Sequence, residues 1–249
     1  MGDRRGQAPG SPRRGLLLLA GGAAAAFALL TACVVAGLAP LYRADLALSA
    51  AAHRAALARP AWRSAMIVVT DSASRPYALV AGALLTLALA ALRQYRRAAF
   101  VVVAALAAAG SRLLVLAAVA RPRPVDRLAA AQGWSYPSGH TTTAASAALI
   151  VGLLLWRLPR SGRARRLLVA VAAAWALLVG VSRVALVVHW PTDVLGGWLL
   201  SLAVVPAVAA LLLPTPARSA AVGDAPGGDE FDHDRHRDRL GGQQGHEDQ

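Results

Sequence analysis

The chain has 249 residues, 57% hydrophobic and 16% charged, with a formal net charge of +13. Soluble domains are less apolar and more charged than this, so one membrane domain with polar tails is expected. All 26 basic residues are Arg, and they cluster in short segments between apolar runs, which fits membrane topology and not the basic patch of a nucleic-acid binder. The single cysteine, Cys33, excludes an intrachain disulfide and a cysteine-based zinc cluster.

A helix needs about 20 apolar residues to cross the hydrocarbon core. The pattern predicts six spans, at roughly residues 16–39, 66–92, 98–120, 140–157, 167–188 and 194–213. The first follows Arg4, Arg5, Arg13 and Arg14, as a signal-peptide start would. Leu30-Thr31-Ala32-Cys33 resembles a lipoprotein cleavage box, but the apolar run continues from Val34 to Ala39, so an uncut span is expected. Between the first two spans, 41–63 mixes Ala and Leu with Asp45, His53, Arg54 and Arg59. It reads as a helix along the outer interface, or as a lid. The second span is the least regular, because Asp71, Arg75 and Pro76 lie in its first third.

Arginine bias sets the orientation. Segments 1–15, 93–97 and 157–166 carry twelve arginines, whereas 40–65 and 121–139 carry seven on a greater length. Both termini are therefore expected in the cytoplasm. The expected organisation is a basic cytoplasmic N-terminus over 1–15, a six-span membrane domain over 16–213 and a disordered cytoplasmic tail over 214–249. His233, His236 and His246 in the tail read as solvated residues, and Trp134, Tyr136, Trp190 and Trp198 as interfacial anchors.

Three polar segments interrupt the apolar runs, and this topology puts all of them on the outer face. In Pro137-Ser138-Gly139-His140, Ser138 is a natural N-cap for the next helix. The helix start offers free N–H groups to an anion, Gly139 permits close approach, and His140 adds an imidazole. Read alone, this is also an ordinary capped helix with a surface histidine. In Ser182-Arg183-(184–188)-His189-Trp190-Pro191-Thr192-Asp193, Arg183 is an ionisable group within an apolar span. Pro191 makes a corner after His189 and starts the last span. Asp193 is placed to fix the tautomer of His189 and free its other nitrogen for attack. An interfacial histidine is the plainer alternative. In Arg121-Pro122-Arg123-Pro124, the prolines hold an extended strip and an arginine fork matches phosphate; a basic loop is the alternative. Together the segments suit phosphoryl transfer, which is mostly positioning and charge stabilisation.

With these residues in view, the chain resembles the type 2 phosphatidic acid phosphatase (lipid phosphate phosphatase) superfamily. Arg123-Pro124, Pro137-Ser138-Gly139-His140 and Ser182-Arg183, His189 and Asp193 match its three motifs, with 12 residues between Pro124 and Pro137 and 41 between His140 and Ser182. The resemblance covers about 66–213. It implies an all-α, integral membrane six-helix bundle of the PAP2/haloperoxidase type. It further implies a phosphatase that hydrolyses a lipid-linked phosphate monoester or diphosphate at the extracytoplasmic face. His189 would form a phosphohistidine, Asp193 would orient it and His140 would serve as acid and then base. Arg123, Ser138, Gly139 and Arg183 would hold the phosphate. No metal or other cofactor is implied. Candidate substrates are phosphatidic acid, phosphatidylglycerol phosphate and a polyprenyl phosphate. The alternatives are a lipid phosphotransferase using the same histidine, or a non-catalytic binder of lipid phosphate. The expected partners are that lipid and the bilayer, with no nucleic acid; oligomeric state is not legible.

One position departs from the family pattern. Leu116 stands where the family has a lysine, and Arg112 lies one turn before it on the same helical face. Arg112 either reaches the site in the lysine's place or pairs with an acid such as Asp71.

Overall fold

The computed structural model describes residues 12–156 and 161–214. Arg4, Arg5, Arg157 and Arg160, and the tail with its three histidines, lie outside the described residues. Among the described residues there are eight helices and no strand: α1 (Pro12–Val35), α2 (Ala39–Ala58), α3 (Pro60–Asp71), α4 (Arg75–Ala91), α5 (Tyr95–Val119), α6 (Gly139–Leu155), α7 (Gly162–Ala185) and α8 (Pro191–Leu212). Prolines stand in the first or second position of five of them, at Pro12, Pro40, Pro60, Pro76 and Pro191. There the missing N–H has no intrahelical partner to lose.

α1, α5, α7 and α8 are long and apolar enough to cross a bilayer, and α3 with α4 makes a fifth span if the bent pair counts as one. α6 is apolar but has only 17 residues. The all-helical bundle is as expected, and the six expected spans correspond to four long helices, a bent pair and a short one. The second span is not continuous over 66–92. It breaks between Asp71 and Arg75 with a bend of 41°. Pro76 cannot donate to the preceding turn. The Ser72 hydroxyl instead donates to the Val69 carbonyl at 2.7 Å and accepts from the Trp175 indole at 2.9 Å.

α8 runs through the middle of the bundle against α1, α5 and α6, and α7 packs on α6. At one end, Leu89, Phe100, Val101, Ala104, Ile150, Leu154, Val205 and Ala209 form the largest buried apolar cluster. Leu84, Leu106, Leu114, Leu167 and Leu211 point outward, as lipid-facing residues do where helices meet their backbone needs internally. Small residues bring α6, α7 and α8 close. A Cβ on Gly180 would stand 2.9 Å from Val194 Cγ1 and collide with the Trp198 ring. Ser146 donates to Ser201 at 3.1 Å, and Ser201 reaches the Thr142 carbonyl, also at 3.1 Å.

α2 lies on the bundle with one face turned inward. Asp45, Ser49 and Ala56 on it are buried, and Asp45 is bonded to residues at the far end of the sequence. At the end of the bundle opposite that apolar cluster, α5 and α7 finish, α6 and α8 begin, and the 120–138 segment crosses between them.

Candidate active site

The corner between α7 and α8 carries His189. Val187 takes a left-handed conformation at φ 53°, uncommon and strained for a β-branched residue. It is held by its N–H bond to the Val184 carbonyl and by burial of its side chain. Pro191 then starts α8. Asp193, in the first turn, reaches back so that its Oδ2 accepts the Trp190 N–H at 2.9 Å and faces His189 Nδ1 at 3.3 Å. His189 is 1% exposed and Asp193 0%, so the pair sits out of water. On the other side of the ring, Arg123 Nη1 lies 2.9 Å from His189 Nε2. An arginine can only donate, so Nε2 holds the lone pair and Nδ1 carries the proton toward Asp193. Burial lowers the His189 pKa to about 4, against the opposing pull of Asp193. The ring is therefore neutral at pH 7, as a nitrogen nucleophile must be.

Arg123 differs from the fork expected of it. Its Nε donates to the Gly133 carbonyl at 2.9 Å, and Nη2 to those of Gln132 and Trp134 at 3.1 and 3.0 Å. Nη1 also bonds the Val188 carbonyl at 2.8 Å. The guanidinium is thus locked by backbone carbonyls and offers one edge beside His189 Nε2, not a free bidentate fork.

The expected cap on α6 also differs. Ser138 occupies the N-cap position but makes no side-chain cap. Its hydroxyl is fully buried and accepts from the Thr141 hydroxyl at 3.0 Å, while its N–H donates to the Asp193 carbonyl at 3.0 Å. The helix start is tied to the α8 corner, and the next N–H groups of the first turn lack intrahelical acceptors, as at any helix start. His140, half-buried in that turn, lies within electrostatic reach of Arg183, His189, Arg112 and Arg123. Arg183 is 4% exposed. Its Nη1 donates to Thr70 Oγ1 at 2.5 Å, and its Nε has no protein partner. A buried cationic donor without an acceptor is costly and marks a place where an anion would be welcome.

Arg112 reaches this site. Its Nε donates to the Pro137 carbonyl at 3.3 Å, and its guanidinium lies so close to Gly139 that a Cβ there would be 3.0 Å from Cζ. Leu116 contributes no charge. Every residue singled out in the sequence therefore belongs to one cluster: His189, Asp193, His140, Arg123, Ser138, Gly139, Arg183 and Arg112.

One aromatic assignment changes. Tyr136 is no interfacial anchor: it is fully buried, stacked on Phe27 and hydrogen-bonded at 2.8 Å to Thr31 of α1. Burial raises its hydroxyl to about 12. The close passage of α8 requires Gly196, where a Cβ would stand 2.8 Å from the Tyr136 ring. Trp190 closes the corner, its indole donating to the Pro122 carbonyl at 3.0 Å.

The sequence reading named Asp45, Arg121 and Thr192 without joining them to one another, and passed over Thr70. Arg121 bonds Asp45 and Asp193, each at 2.7 Å. Asp45 also accepts the Thr192 N–H at 3.0 Å and its hydroxyl at 2.6 Å. The available sign was an aspartate inside an Ala/Leu-rich helix, which needs a partner. Among the described residues, no three His, Cys, Asp or Glu side chains are grouped so as to hold a metal ion.

Fold and site define a multi-pass helical membrane protein with a buried histidine–aspartate pair ringed by arginines at one end of the bundle. The PAP2 superfamily model matches residues 115–214, a stretch that spans the three motifs. Phosphatidylglycerophosphatase B of Escherichia coli K12 is 44% identical over 73 residues, 29% of this chain and 27% of that protein. The Bacillus subtilis protein of the same name is 41% identical over 70 residues, 28% of this chain and 34% of that one. The matched stretch is thus about a quarter to a third of these relatives' length. The crystal structure of a transmembrane PAP2-type phosphatidylglycerolphosphate phosphatase from Bacillus subtilis superposes with a TM-score of 0.67 at 27% identity, covering 76% of this chain and 93% of that one.

Proposed function

We propose that the protein is a metal-independent lipid phosphate phosphatase working through a phosphohistidine. The observation that carries this reading is the His189 ring, neutral and buried, with Nδ1 toward Asp193 and Nε2 against an arginine. Nε2 attacks phosphorus and the bond from phosphorus to the alkyl or anhydride oxygen breaks. His140 gives that leaving oxygen a proton. Water then attacks the phosphorus of the phosphohistidine, losing its proton to His140, and inorganic phosphate leaves as Nε2 is restored. Arg183, Arg112, the Arg123 Nη1 N–H that His189 Nε2 releases as it attacks, the Ser138 hydroxyl and the Gly139 N–H carry the charge on the phosphoryl oxygens, where preorganised donors contribute most. Because the site lies where four long helices begin or end, a lipid headgroup enters it while its tails remain in the bilayer. The arginine asymmetry of the sequence supports an extracytoplasmic site with both termini in the cytoplasm. The names of the relatives favour phosphatidylglycerol phosphate among the candidate lipids.

The test is phosphate release by detergent-purified protein from phosphatidylglycerol phosphate, phosphatidic acid and a polyprenyl phosphate, alongside His189→Ala and with or without EDTA. Release should require His189, survive EDTA and be fastest with phosphatidylglycerol phosphate. Undiminished release by a folded His189→Ala protein would overturn the nucleophile, and loss in EDTA restored by a divalent ion would overturn the metal-free chemistry.

A further inference from the structure

Beyond the groups that face the phosphate, the end of the bundle contains a second layer of charge, its two carboxylates fully buried and its arginine 13% exposed. Asp45 on α2 is 1% exposed, and both its oxygens are used: Oδ1 by the Thr192 N–H, Oδ2 by the Thr192 hydroxyl and Arg121 Nη2. Arg121 Nη1 bonds the Thr192 hydroxyl at 2.6 Å and Asp193 Oδ1 at 2.7 Å, and its guanidinium lies 5.5 Å from the Trp190 ring centre. Asp193 Oδ2 is left for the Trp190 N–H and His189. The three charged groups form a line, Asp45–Arg121–Asp193, that ends on the histidine ring.

We propose that Arg121, clamped by Asp45, is the positioning residue of His189: it fixes the rotamer of Asp193 and sets how much negative charge the imidazole feels. This rests on the reading of His189 as nucleophile, and it gives α2 the role of a structural arm of the site. The argument is geometric. A carboxylate with one oxygen pinned by a guanidinium cannot rotate its other oxygen away from Nδ1, so the tautomer that leaves Nε2 free is held mechanically. It is also electrostatic. Two carboxylates and one guanidinium leave one net negative charge near the ring. Of the other groups facing His189, Arg123 from the 120–138 segment, Arg183 from α7 and His140 from α6 are cationic or neutral. The line is therefore the source of the negative potential that stabilises a charged imidazole, including the phosphorylated one.

The two ends of the line then act in opposite directions. Arg121→Met leaves two uncompensated carboxylates and makes the ring easier to protonate. Asp45→Asn neutralises the line and makes it harder. A unit charge one residue removed, at an effective dielectric of about 20, moves a titration by on the order of one pH unit. The experiment is a nitrogen-15 NMR titration of full-length, histidine-labelled protein in detergent, with the His189 signal assigned from His189→Gln, and with kcat and KM measured on the preferred lipid phosphate. The expected result is a His189 titration raised in Arg121→Met and lowered in Asp45→Asn, with kcat down at least about tenfold in both and KM within about threefold. Titrations that stay at the parent value, or move in the same direction in both variants, overturn the proposal. If Arg121→Met does not fold, Arg121→Lys keeps the charge and loses the fork. It should titrate near the parent with reduced kcat, and parental kcat there overturns the positioning role. Absence of His189-dependent turnover in the parent would refute the phosphatase reading, while the opposed titrations would still decide the electrostatic one.

Discussion

Asp193→Asn tests the chemistry with the smallest change of shape. Asp193 accepts on both oxygens: Arg121 on Oδ1, and the Trp190 N–H and His189 Nδ1 on Oδ2. An amide has one acceptor and one double donor, so neither orientation fits. With its NH₂ toward Arg121, two donors confront each other and the guanidinium must retreat toward Asp45. With its NH₂ toward His189, the ring must accept at Nδ1, and the proton moves to Nε2, the nitrogen that attacks. The first arrangement costs about 1–3 kcal/mol of stability as an unmade buried hydrogen bond, less than stranding a charge because Asp45 still pairs Arg121. The second puts the histidine in the wrong tautomer, a change that costs about 10⁴ in kcat in a serine protease triad. Turnover should fall by roughly 10³–10⁴, on the order of 4–5 kcal/mol at 1.36 kcal/mol per decade. The protein should remain folded by tryptophan fluorescence and elute normally in detergent. A folded Asp193→Asn protein with kcat within tenfold of the parent would show that the aspartate does not control the ring.

Arg112→Leu removes a charged donor beside Gly139 and should lower kcat/KM on the lipid phosphate by roughly 10–150-fold, the range for a hydrogen bond to a charged group. Adding Leu116→Lys in that background should recover part of the loss, and full activity in the single variant would remove Arg112 from the phosphate site. Gly180→Ala forces a methyl into the Trp198 ring and to 2.9 Å from Val194. Overpacking of this kind costs about 1–3 kcal/mol, so the thermal midpoint in detergent should drop by several degrees; an unchanged midpoint would mean that α7 and α8 separate easily.

The motif residues were legible because each reveals itself locally. A serine, glycine and histidine at a helix start, an arginine inside an apolar run and a histidine before a proline corner all break the surrounding pattern. Arg112 was legible through helical spacing alone. What stayed hidden depends on contacts across the sequence. Asp45 meets Thr192, 147 residues away, and no periodicity announces such a pair. Arg121 and Arg123 share one short Arg-Pro strip, yet one turns to the aspartates and the other to the histidine. Sequence has no means of dividing them. Ser138 was misread in part because its hydroxyl found Thr141 instead of the helix backbone. The second span, already the least regular in the sequence, is bent because a proline and a serine–tryptophan bond outweigh average hydropathy.

The first helix lies along the last one, and Tyr136 is bonded to Thr31 between them. That closure has a consequence for biogenesis. During synthesis Asp45 and Arg121 emerge well before Asp193 and Thr192, the residues that complete their buried network. Until α8 is inserted, the α2 arm and the 120–138 segment have nowhere to dock, and His189 has no partner for its proton. The histidine–aspartate pair is thus completed only once α8 is inserted, and a chain stalled before α8 holds Asp45 and Arg121 without the Asp193 and Thr192 that join them.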